Sequence, residues 1–467
     1  MRRTKEEILA QKKVAFLSLG CKVNSYETEG MRELFLQAGA VEVPFEECAD
    51  IYLVNTCSVT NIADRKSRQM LHRARKQNPD ALVIAAGCYA QAAGETLGTE
   101  DGVDLVVGNN RKAEITELVA DVLSARAEMT KIAVPDIAVE REYEELPIAA
   151  VTEHTRAFIK IEDGCNQFCS YCIIPYVRGR VRSRKEEEVL AEVKRLAEEG
   201  YREIVLTGIH LSSYGLEKKE EGCVSEFDET LAKNEKVLPL LSLIQKIAEV
   251  EKIERIRLGS LEPRIMTEEF VKALAGIPKL CPHFHLSLQS GCDATLKRMN
   301  RKYTTEEYSR AVDLLREYLD RPAITTDIIV GFPGETEEEF EQTLAFAKKI
   351  EFAQIHIFKY SRRKNTVADR MKDQLPETVK SERSNILSEA EQDLERKYRL
   401  QFVGETEKVL LEEEVSENGE KYYSGHTGHY TKVLVSDEKG ILAPNQTVRV
   451  RIDKVGEEHC YGTCGDK

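Results

Sequence analysis

Short apolar runs alternate with amphipathic stretches over residues 1–124. The runs have the length of buried strands, and they lie at 14–19, 51–54, 82–86 and 104–107. Helical periodicity fills the intervals at 25–38, 61–77 and 111–124. Strands that alternate with helices form parallel sheets, so residues 1–124 are predicted to be an α/β domain. The mixed, acidic stretch 125–150 contains Pro135 and Pro147 and is predicted to be a linker.

Residues 151–400 repeat this alternation with longer helices. Six strands are predicted, at 157–161, 203–207, 255–259, 284–288, 324–330 and 354–358. Six β/α units predict a partial barrel, because a complete β/α barrel has eight. The polar, acidic segment 216–237 interrupts the pattern and is predicted to be a solvated insertion, and 386–400 is predicted to be a charged helix.

The pattern changes again over residues 401–467. Short strands are predicted at 409–413, 421–424, 431–435 and 446–452, with turn signals at Asn418–Gly419 and Lys439–Gly440. This region is therefore predicted to be a small antiparallel β-barrel. Cys460 and Cys464, which follow the last of these strands, are expected to lie in a flexible tail.

Composition limits the class of protein. The chain has 467 residues, of which 42% are hydrophobic and 32% charged, as expected of a globular protein with about three domains. No apolar run approaches the ~20 residues needed to cross a bilayer, and the apolar run at 14–20 is shorter than expected of a signal peptide. A cytoplasmic protein without a membrane partner is expected. Twelve cysteines in such a chain favour metal binding or catalysis over disulfides.

Three cysteines, Cys165, Cys169 and Cys172, directly follow the first predicted barrel strand. Barrel enzymes carry their active sites at this end of the strands. A structural zinc site takes four ligands, and a cubane iron–sulfur cluster normally takes four cysteines. Three thiolates at this spacing leave one coordination position for a ligand that is not protein. The alternative is a zinc knuckle with a remote fourth ligand.

A second set of three cysteines is predicted in the first domain. Cys21, Cys57 and Cys88 each follow a predicted strand. The carboxyl ends of parallel strands meet at one edge of a sheet, where open α/β sheets bind ligands. The three thiols are therefore expected to converge. The alternative is that they are buried cysteines that act as small hydrophobic side chains.

The C-x3-C-x2-C loop after a barrel strand resembles the radical S-adenosylmethionine superfamily, and two such sets in this order resemble its methylthiotransferase family. The N-terminal segments that resemble the family are GCKVNSYETE (20–29), NTCSVT (55–60) and AAGCYAQ (85–91). Those of the barrel are DGCNQFCSYCIIPYVRGRVRSR (163–184), HLSLQSGCDATLKRMNRKYT (285–304) and TDIIVGFPGETEEEF (326–340). The C-terminal barrel resembles the TRAM domain, which binds RNA. Asn365 departs from the family pattern, which has glycine there, but asparagine tolerates left-handed backbone.

The resemblance implies two 4Fe-4S clusters, one held by Cys165, Cys169 and Cys172 and the other by Cys21, Cys57 and Cys88. S-adenosyl-L-methionine would complete the first cluster. Its expected contacts are strand-end residues, namely Thr207, Gly208, Ser260, Gln289, Gly331 and Gly334. One molecule would supply a methyl group, and another would be cleaved to a 5′-deoxyadenosyl radical that removes hydrogen from the substrate. A reductant such as flavodoxin or ferredoxin is implied, and the sulfur donor stays open.

Gly20–Asn24 and Tyr26–Glu29 resemble the branch that acts on N6-threonylcarbamoyladenosine in tRNA. This implies insertion of a methylthio group at C2 of that base, next to the anticodon at position 37. Two alternatives in the same family are isopentenyladenosine in tRNA and an aspartate of a ribosomal protein. A non-catalytic metal-containing RNA-binding protein is the alternative of another class.

Local charge is compatible with an RNA partner despite a net charge of −14, because binding depends on a basic face. Two runs are predicted to hold phosphates near the cysteine sets. They are Arg65, Lys66, Arg68, Arg73, Arg75 and Lys76, and Arg178, Arg180, Arg182, Arg184 and Lys185. The alternative is that these basic side chains only form the solvated face of a helix. Five C-terminal aromatic or imidazole side chains could stack on bases or could simply pack, namely Tyr422, Tyr423, His426, His429 and Tyr430.

Overall fold

This computed structural model describes residues 4–99, 102–125, 131–148, 155–217, 238–437 and 440–464. The first domain is a six-stranded parallel sheet with the strand order β2-β1-β3-β4-β5-β6. The strands are β1 Lys13–Ser18, β2 Val41–Glu42, β3 Ile51–Thr56, β4 Leu82–Gly87, β5 Leu105–Val107 and β6 Lys131–Ala133. The helices are α1 Lys5–Leu9, α2 Lys22–Gln37, α3 Asn61–Gln77, α4 Cys88–Leu97 and α5 Ile115–Ala125. The predicted parallel α/β layer is confirmed.

The central strands of this sheet are covered on both faces. Every residue of β3 and β4 is buried, which is why both strands are rich in apolar residues, although β3 ends in the buried polar residues Asn55 and Thr56. β6 lies within the predicted linker, so the sheet extends past residue 124. Its three residues are too few to give a periodic signal.

The second domain is a partial barrel of six parallel strands, as predicted. Its two three-stranded sheets, β11-β10-β7 and β12-β13-β14, are joined by β-bridges between Ile256 and Leu280 and between Leu261 and Leu286. The strands are β7 Arg156–Lys160, β8 Glu162–Asp163, β9 Arg182–Ser183, β10 Glu203–Thr207, β11 Arg255–Leu258, β12 His283–His285, β13 Ala323–Val330 and β14 Gln354–Lys359. β8 and β9 form a separate short hairpin.

The barrel helices begin where local sequence favours it. They are α6 Ile174–Val177, α7 Glu186–Glu198, α8 Pro239–Ala248, α9 Glu268–Ala275, α10 Asp293–Arg298, α11 Thr305–Tyr318, α12 Glu337–Ile350 and α13 Glu377–Leu400. Thr267, Thr304 and Thr336 each accept a hydrogen bond from the first turn of the helix that they precede. Most of the predicted insertion, residues 218–237, lies outside the described residues.

The C-terminal domain is a closed five-stranded barrel with the order β15-β16-β17-β19-β18, consistent with a TRAM fold. Its strands are β15 Thr406–Glu417, β16 Glu420–Thr427, β17 Lys432–Ser436, β18 Thr447–Val455 and β19 Cys460–Cys464. The expectation of a flexible tail is wrong for Cys460 and Cys464. They belong to β19, which pairs with both β17 and β18 and closes the barrel.

The first two domains are in contact along α2. This helix packs against β7, an edge strand of the partial barrel, and the Tyr26 hydroxyl donates to Glu192 on α7 at 3.0 Å. The contact brings the carboxyl edge of the first sheet to the mouth of the barrel. In the described part of the chain, none of the helices combines the length and apolar character that a membrane crossing requires.

Candidate functional site

The cysteines of the first domain follow three neighbouring strands. Cys21 is the N-cap of α2 after β1, Cys57 follows β3, and Cys88 is the first residue of α4 after β4. Burial raises the pKa of Cys57 to about 11, and the nearby thiols of Cys88 and Cys21 contribute in the same direction. The parallel topology therefore brings the three thiols together, as predicted.

Glycine allows the close approach of these loops. Gly20 has a φ of +101°, and a Cβ there would lie 2.7 Å from the Cys57 sulfur. Cys57 and Cys88 are buried, whereas Cys21 is exposed although burial raises its pKa as well. A thiol in the wall of an internal cavity is accessible but poorly hydrated. Cys21 is therefore the member of the set that a ligand can reach.

Arg178, from the second domain, contacts this set. Its Nε lies 3.2 Å from the Cys88 sulfur, while its two Nη atoms donate to Glu27 at 2.7 Å and to Asn24 at 2.6 Å. Asn109 also directs its Nδ2 at the Cys88 sulfur, at 3.7 Å. Donors aimed at sulfur stabilise a thiolate over a thiol.

The charges around Arg178 are unbalanced. The fully buried cations are Lys112, Lys160, Arg178 and Arg182, and the buried carboxylates that they contact are Glu27 and Asp163. Four cations face two carboxylates, and Glu144 approaches Lys112 from a partly exposed position. A buried excess of positive charge is costly unless an anion compensates it. Thiolates in a metal cluster at Cys88 would supply that anion.

The second set lies in the loop after β7 and β8. The Cys165 amide donates to the Gly179 carbonyl at 3.0 Å, and the Ser170 amide donates to the Met299 carbonyl at 2.9 Å. The Asn300 side chain donates to the Phe168 carbonyl at 2.9 Å. Backbone contacts on both sides thus fix the loop, so that its three thiols face one space.

The thiols of this loop also share one environment. Burial raises the pKa of Cys172 to about 12, with a further contribution from Cys169, and raises that of Cys165 well above its usual value. The Arg301 Nη1 lies 3.3 Å from the Cys169 sulfur, and the Gln167 amide lies 3.5 Å from the Cys165 sulfur. Each cysteine set therefore has an arginine from elsewhere in the chain.

Both sets have the ligand chemistry of an iron–sulfur cluster. In the described residues, no group of three or more His, Cys, Asp or Glu side chains is arranged to hold one metal ion. In a four-iron cluster each thiolate binds its own iron, so the sulfurs lie farther apart than the ligands of one ion. Three soft thiolates with donors directed at them suit iron–sulfur chemistry.

Four of the predicted S-adenosylmethionine contacts lie at or beyond the carboxyl ends of β10, β11 and β12. Thr207 is buried and its carbonyl accepts from the Ile161 amide, whereas Ser260 is exposed. A Cβ on Gly208 would lie 2.8 Å from Glu162, so this glycine admits close contact. Gln289 has a φ of +69°. Their role in binding a ligand stays a prediction.

Gly331 and Gly334 have structural reasons to be glycine. Their φ values are +72° and +74°, and a Cβ on Gly331 would lie 2.4 Å from the Lys380 side chain. The Gly331 amide donates to Glu335 at 2.6 Å, and the Gly334 amide donates to the Asp373 carbonyl at 2.8 Å. Binding of a ligand by either stays a prediction.

Glu162 is a buried carboxyl three residues before Cys165 whose position the sequence did not reveal. It is fully buried, and burial raises the pKa of its carboxyl to about 8. Its Oε2 accepts from the His210 amide at 2.7 Å, while Oε1 has no partner among the described residues. No local pattern distinguishes this glutamate from the many surface glutamates of the chain.

The arginine run 178–185 does not bind phosphates as a whole. Arg178, Arg182 and Arg184 are buried, and each pairs with carboxylates inside the protein. Arg180 and Lys185 are the exposed members. The sequence shows the positive charges, but only the fold shows which of them face inward.

The basic helix α3 retains an exposed face. Arg75 pairs with Asp104 at 2.5 Å, and Arg68 donates to the Tyr89 hydroxyl at 2.8 Å. The exposed members are Arg65, Lys66, Arg73 and Lys76. Contact of this face with RNA stays a prediction.

The aromatic and imidazole side chains of the C-terminal domain that were predicted to stack on bases make contacts within the protein. His426 and Tyr430 stack on each other, with centroids 4.7 Å apart, and Tyr430 lies against Arg257 and Arg156 of the partial barrel. His429 packs on Phe402. Tyr423 packs against the core of the C-terminal barrel, and the Tyr422 ring lies 5.9 Å from that of Tyr461. All five rings therefore have packing partners, and base stacking by any of them stays a prediction.

Comparison with known proteins agrees with this geometry. Residues 159–347 match the radical SAM superfamily, and residues 13–108 match the uncharacterized protein family UPF0004. The threonylcarbamoyladenosine tRNA methylthiotransferase MtaB of Bacillus subtilis (strain 168) is 41% identical over 450 residues, which are 96% of this chain and 95% of that protein. A tRNA-2-methylthio-N(6)-dimethylallyladenosine synthase of Pelotomaculum thermopropionicum is 35% identical, over 91% of this chain and 92% of that protein.

A solved structure has the same fold over most of the chain. It is the radical S-adenosylmethionine methyltransferase TsrM from Kitasatospora setae with cobalamin and a 4Fe-4S cluster bound. The TM-score is 0.56 at 16% identity, and the match covers 77% of each chain. At this identity the likeness concerns the fold alone.

Proposed function

The chain belongs to the radical S-adenosylmethionine tRNA methylthiotransferases, and from this premise we propose that its substrate is N6-threonylcarbamoyladenosine next to the tRNA anticodon. The product would carry a methylthio group at C2 of that base. The observation that carries the proposal is 41% identity over 96% of the chain to a threonylcarbamoyladenosine tRNA methylthiotransferase. The second candidate substrate is N6-dimethylallyladenosine in tRNA, which a 35% identical relative favours.

The cofactors of the family are a 4Fe-4S cluster and S-adenosylmethionine. Cys165, Cys169 and Cys172 would hold this cluster and leave one iron for S-adenosylmethionine, with Thr207, Gly208, Ser260, Gln289, Gly331 and Gly334 as proposed contacts. Cys21, Cys57 and Cys88 would hold a second cluster. When bound, the first cluster would pass on the electron that cleaves S-adenosylmethionine to a carbon radical, and the second would bind the sulfur that receives a methyl group, whatever the donor of that sulfur.

The residues of this chain bring the two sets to one site. Ile173, directly after Cys172, packs with Val177 against Cys88, so one turn of chain separates the two cysteine sets. These apolar side chains are buried beside Cys88, and we propose that they help to shield a reactive radical from water. The Arg178 contacts to Glu27 and Asn24 hold the first domain in register with this turn.

The two arginines would set the electrostatics of the ligands. Arg178 and Arg301 direct donors at the sulfurs of Cys88 and Cys169. Positive charge and hydrogen bonds stabilise thiolates and make it easier to add an electron. A reductant of the flavodoxin or ferredoxin class would supply that electron, and the exposed face of α3 is the proposed contact for tRNA phosphates.

An anaerobic assay tests the substrate. Reconstituted enzyme is incubated with reductant, sulfide, S-adenosylmethionine and tRNA that carries N6-threonylcarbamoyladenosine, and nucleosides are analysed by mass spectrometry. Replacement of one hydrogen of that nucleoside by a methylthio group supports the proposal. An unchanged nucleoside, together with modification of dimethylallyladenosine tRNA by the same preparation, would assign the second substrate instead.

A further inference from the structure

We propose that the inner face of the partial barrel binds the polar N6 substituent of the substrate adenosine, and that Lys22 binds the carboxylate at the end of that substituent. This inference rests on the proposed function and deepens it. It identifies the part of the chain that would distinguish a threonylcarbamoyl group from an apolar dimethylallyl group. The observations concern strand register, the closed end of the barrel and the charges inside it.

The strand register divides each barrel strand into an outer and an inner face. Ile159, Leu206, Leu258, Leu286, Ile328 and Ile355 belong to the apolar core that the helices cover. The alternate residues therefore point inward, because side chains alternate along a strand. They include Arg156, Phe158, Glu203, Arg257, His283, His285, Asp327 and His356. An ordinary barrel interior is filled with branched apolar side chains, so this polar interior is unusual.

The amino end of the barrel is closed by the C-terminal domain. The Tyr430 ring lies 5.1 Å from the guanidinium carbon of Arg156 and 4.7 Å from that of Arg257. Arg257 and Arg255 also donate to the carbonyls of Gly428 and Lys408, at 3.0 and 2.6 Å. The inner face is therefore a well that opens toward the loop of Cys165.

Most of the charges inside the well are paired. Arg257 pairs with Glu203 at 2.8 Å, and Asp327 lies 3.3 Å from His285. Arg255 also faces Glu203, at 3.5 Å, and Arg156 pairs with Glu412 of the C-terminal domain at 3.3 Å. Lys160, nearer the mouth, pairs with Glu27 and Asp163. These pairs use the acidic groups of the well.

Lys22 differs from these cations. Its Nζ lies 5.4 Å from the centre of the Phe158 ring, and it has no hydrogen bond or ion pair to any described residue. The side chain is exposed, and the charges that act on it are those of Arg156, Arg257 and Glu203, of which Glu203 is already paired with Arg257. Lys22 follows Cys21, so it reaches into the well from beside the second proposed cluster. An accessible cation without a carboxylate is a binding group for an anion.

The upper part of the well suits an aromatic base. Phe358 lies on the inner face of β14, two residues after His356, and is 44% exposed. An exposed aromatic ring on such a face can stack on adenine. An adenosine that enters with N6 first would direct a threonylcarbamoyl carboxylate at Lys22. A dimethylallyl group would leave the lysine charge without a partner and without full hydration.

The test measures affinity while the charge of the ligand and the charge of residue 22 are each removed in turn. Reconstituted enzyme is titrated under anaerobic conditions with anticodon stem-loop RNA that carries N6-threonylcarbamoyladenosine or its carboxylate methyl ester. The wild type should bind the acid about tenfold to a hundredfold more tightly than the ester. Lys22→Met should bind both RNAs equally, at about the affinity of the ester. Lys194→Met, on the exposed face of α7, is the matched control and should keep the wild-type ratio.

The outcomes separate this inference from the proposed function. Equal affinity of the wild type for acid and ester, or an unchanged ratio in Lys22→Met, would overturn the role of Lys22. The proposed function would then still stand if the wild type methylthiolates the threonylcarbamoyl nucleoside. Modification of dimethylallyladenosine tRNA alone would overturn both. Iron content and the visible spectrum of Lys22→Met, measured in parallel, must match the wild type, since they report the neighbouring cluster.

Discussion

The two cysteine sets are similar in chemistry but different in construction. The set in the barrel spans eight consecutive residues, from Cys165 to Cys172, and its loop is fixed by contacts with residues 298–301. The other set is assembled from three strand ends and is completed by Arg178 from the second domain. The barrel set is therefore a local structure, whereas the first-domain set depends on the whole fold.

The two sets should therefore respond differently to substitutions. A change in the barrel loop should affect one cluster and leave the domain contact intact. A change at the domain contact should affect the first-domain set, because Arg178 binds both Glu27 and the Cys88 sulfur. The variants below test this difference, beginning with the largest expected effect.

Cys169→Ala should abolish all chemistry. Two thiolates in the barrel loop would not hold a cluster that needs three, so 5′-deoxyadenosine formation should fall to background. Iron content should fall by about half, because the first-domain set is left intact. Mass spectrometry and iron analysis measure the two effects. Cys48→Ala removes an exposed free cysteine and is the matched control. Continued formation of 5′-deoxyadenosine by Cys169→Ala would contradict the radical assignment.

Cys57→Ala should abolish sulfur insertion but not the cleavage of S-adenosylmethionine. It removes a buried ligand of the first-domain set, so methylthio product should disappear while cleavage of S-adenosylmethionine continues. The measurement is the ratio of methylthiolated nucleoside to 5′-deoxyadenosine. A normal yield of product from this variant would show that the first-domain set has no part in sulfur insertion.

Arg178→Met should destabilise the domain contact. It removes the Arg178 contacts with Glu27, Asp163 and Asn24, while Glu27 and Asp163 both keep Lys160 as a partner, so the cost is that of hydrogen bonds to charged groups, about 1.5–3 kcal/mol. The free energy of unfolding should fall by that amount, and the first-domain set should retain less iron. Denaturant titration of reconstituted protein under anaerobic conditions measures the loss.

Arg180→Met provides the matched control for Arg178→Met. Arg180 is exposed and lies 4.6 Å from the centre of the Phe168 ring, a contact worth less than about 1 kcal/mol. If both variants lose the same stability, the burial of Arg178 has no special role. If Arg178→Met is nearly neutral, the charge network does not hold the domains together.

The strands and the cysteine sets could be predicted because their signals are local or topological. Buried strands such as β3 and β4 consist largely of apolar residues, and a parallel sheet brings Cys21, Cys57 and Cys88 to one edge whatever the details of packing. The left-handed turn predicted at Asn365 is also present, with a φ of +70°. These features depend on a few neighbouring residues or on strand order alone.

The remaining features depend on contacts between distant segments. Arg178 and Arg182 look like surface charges in sequence, and only the hairpin of β8 and β9 turns them inward. β6 and β19 are short and exist because neighbouring strands offer them pairing. The inward His285, Asp327 and His356 alternate with core residues as in any strand, so a polar barrel interior emerges only once the strands are assembled.

The smallest expected effect is a shift in reduction potential, which tests whether Arg301 and Arg178 each act on a different cluster. Arg301→Gln removes a positive charge 3.3 Å from the Cys169 sulfur but keeps a polar side chain. Loss of a cation makes it harder to add an electron, so the potential of the barrel cluster should become more negative by tens of millivolts, roughly a tenfold change per 59 mV. The potential of the other cluster should stay within error. A potentiometric titration followed by electron paramagnetic resonance measures both clusters.

Arg178→Lys supplies the reciprocal measurement, since it keeps the charge near Glu27 but loses the Nε contact with the Cys88 sulfur. Its shift should appear in the first-domain cluster alone. Equal shifts of both clusters in either variant would mean that the arginines act through the general field of the protein. Separate shifts would mean that each arginine acts on one cysteine set by contact, even though Ile173 and Val177 bring the two sets within one turn of each other.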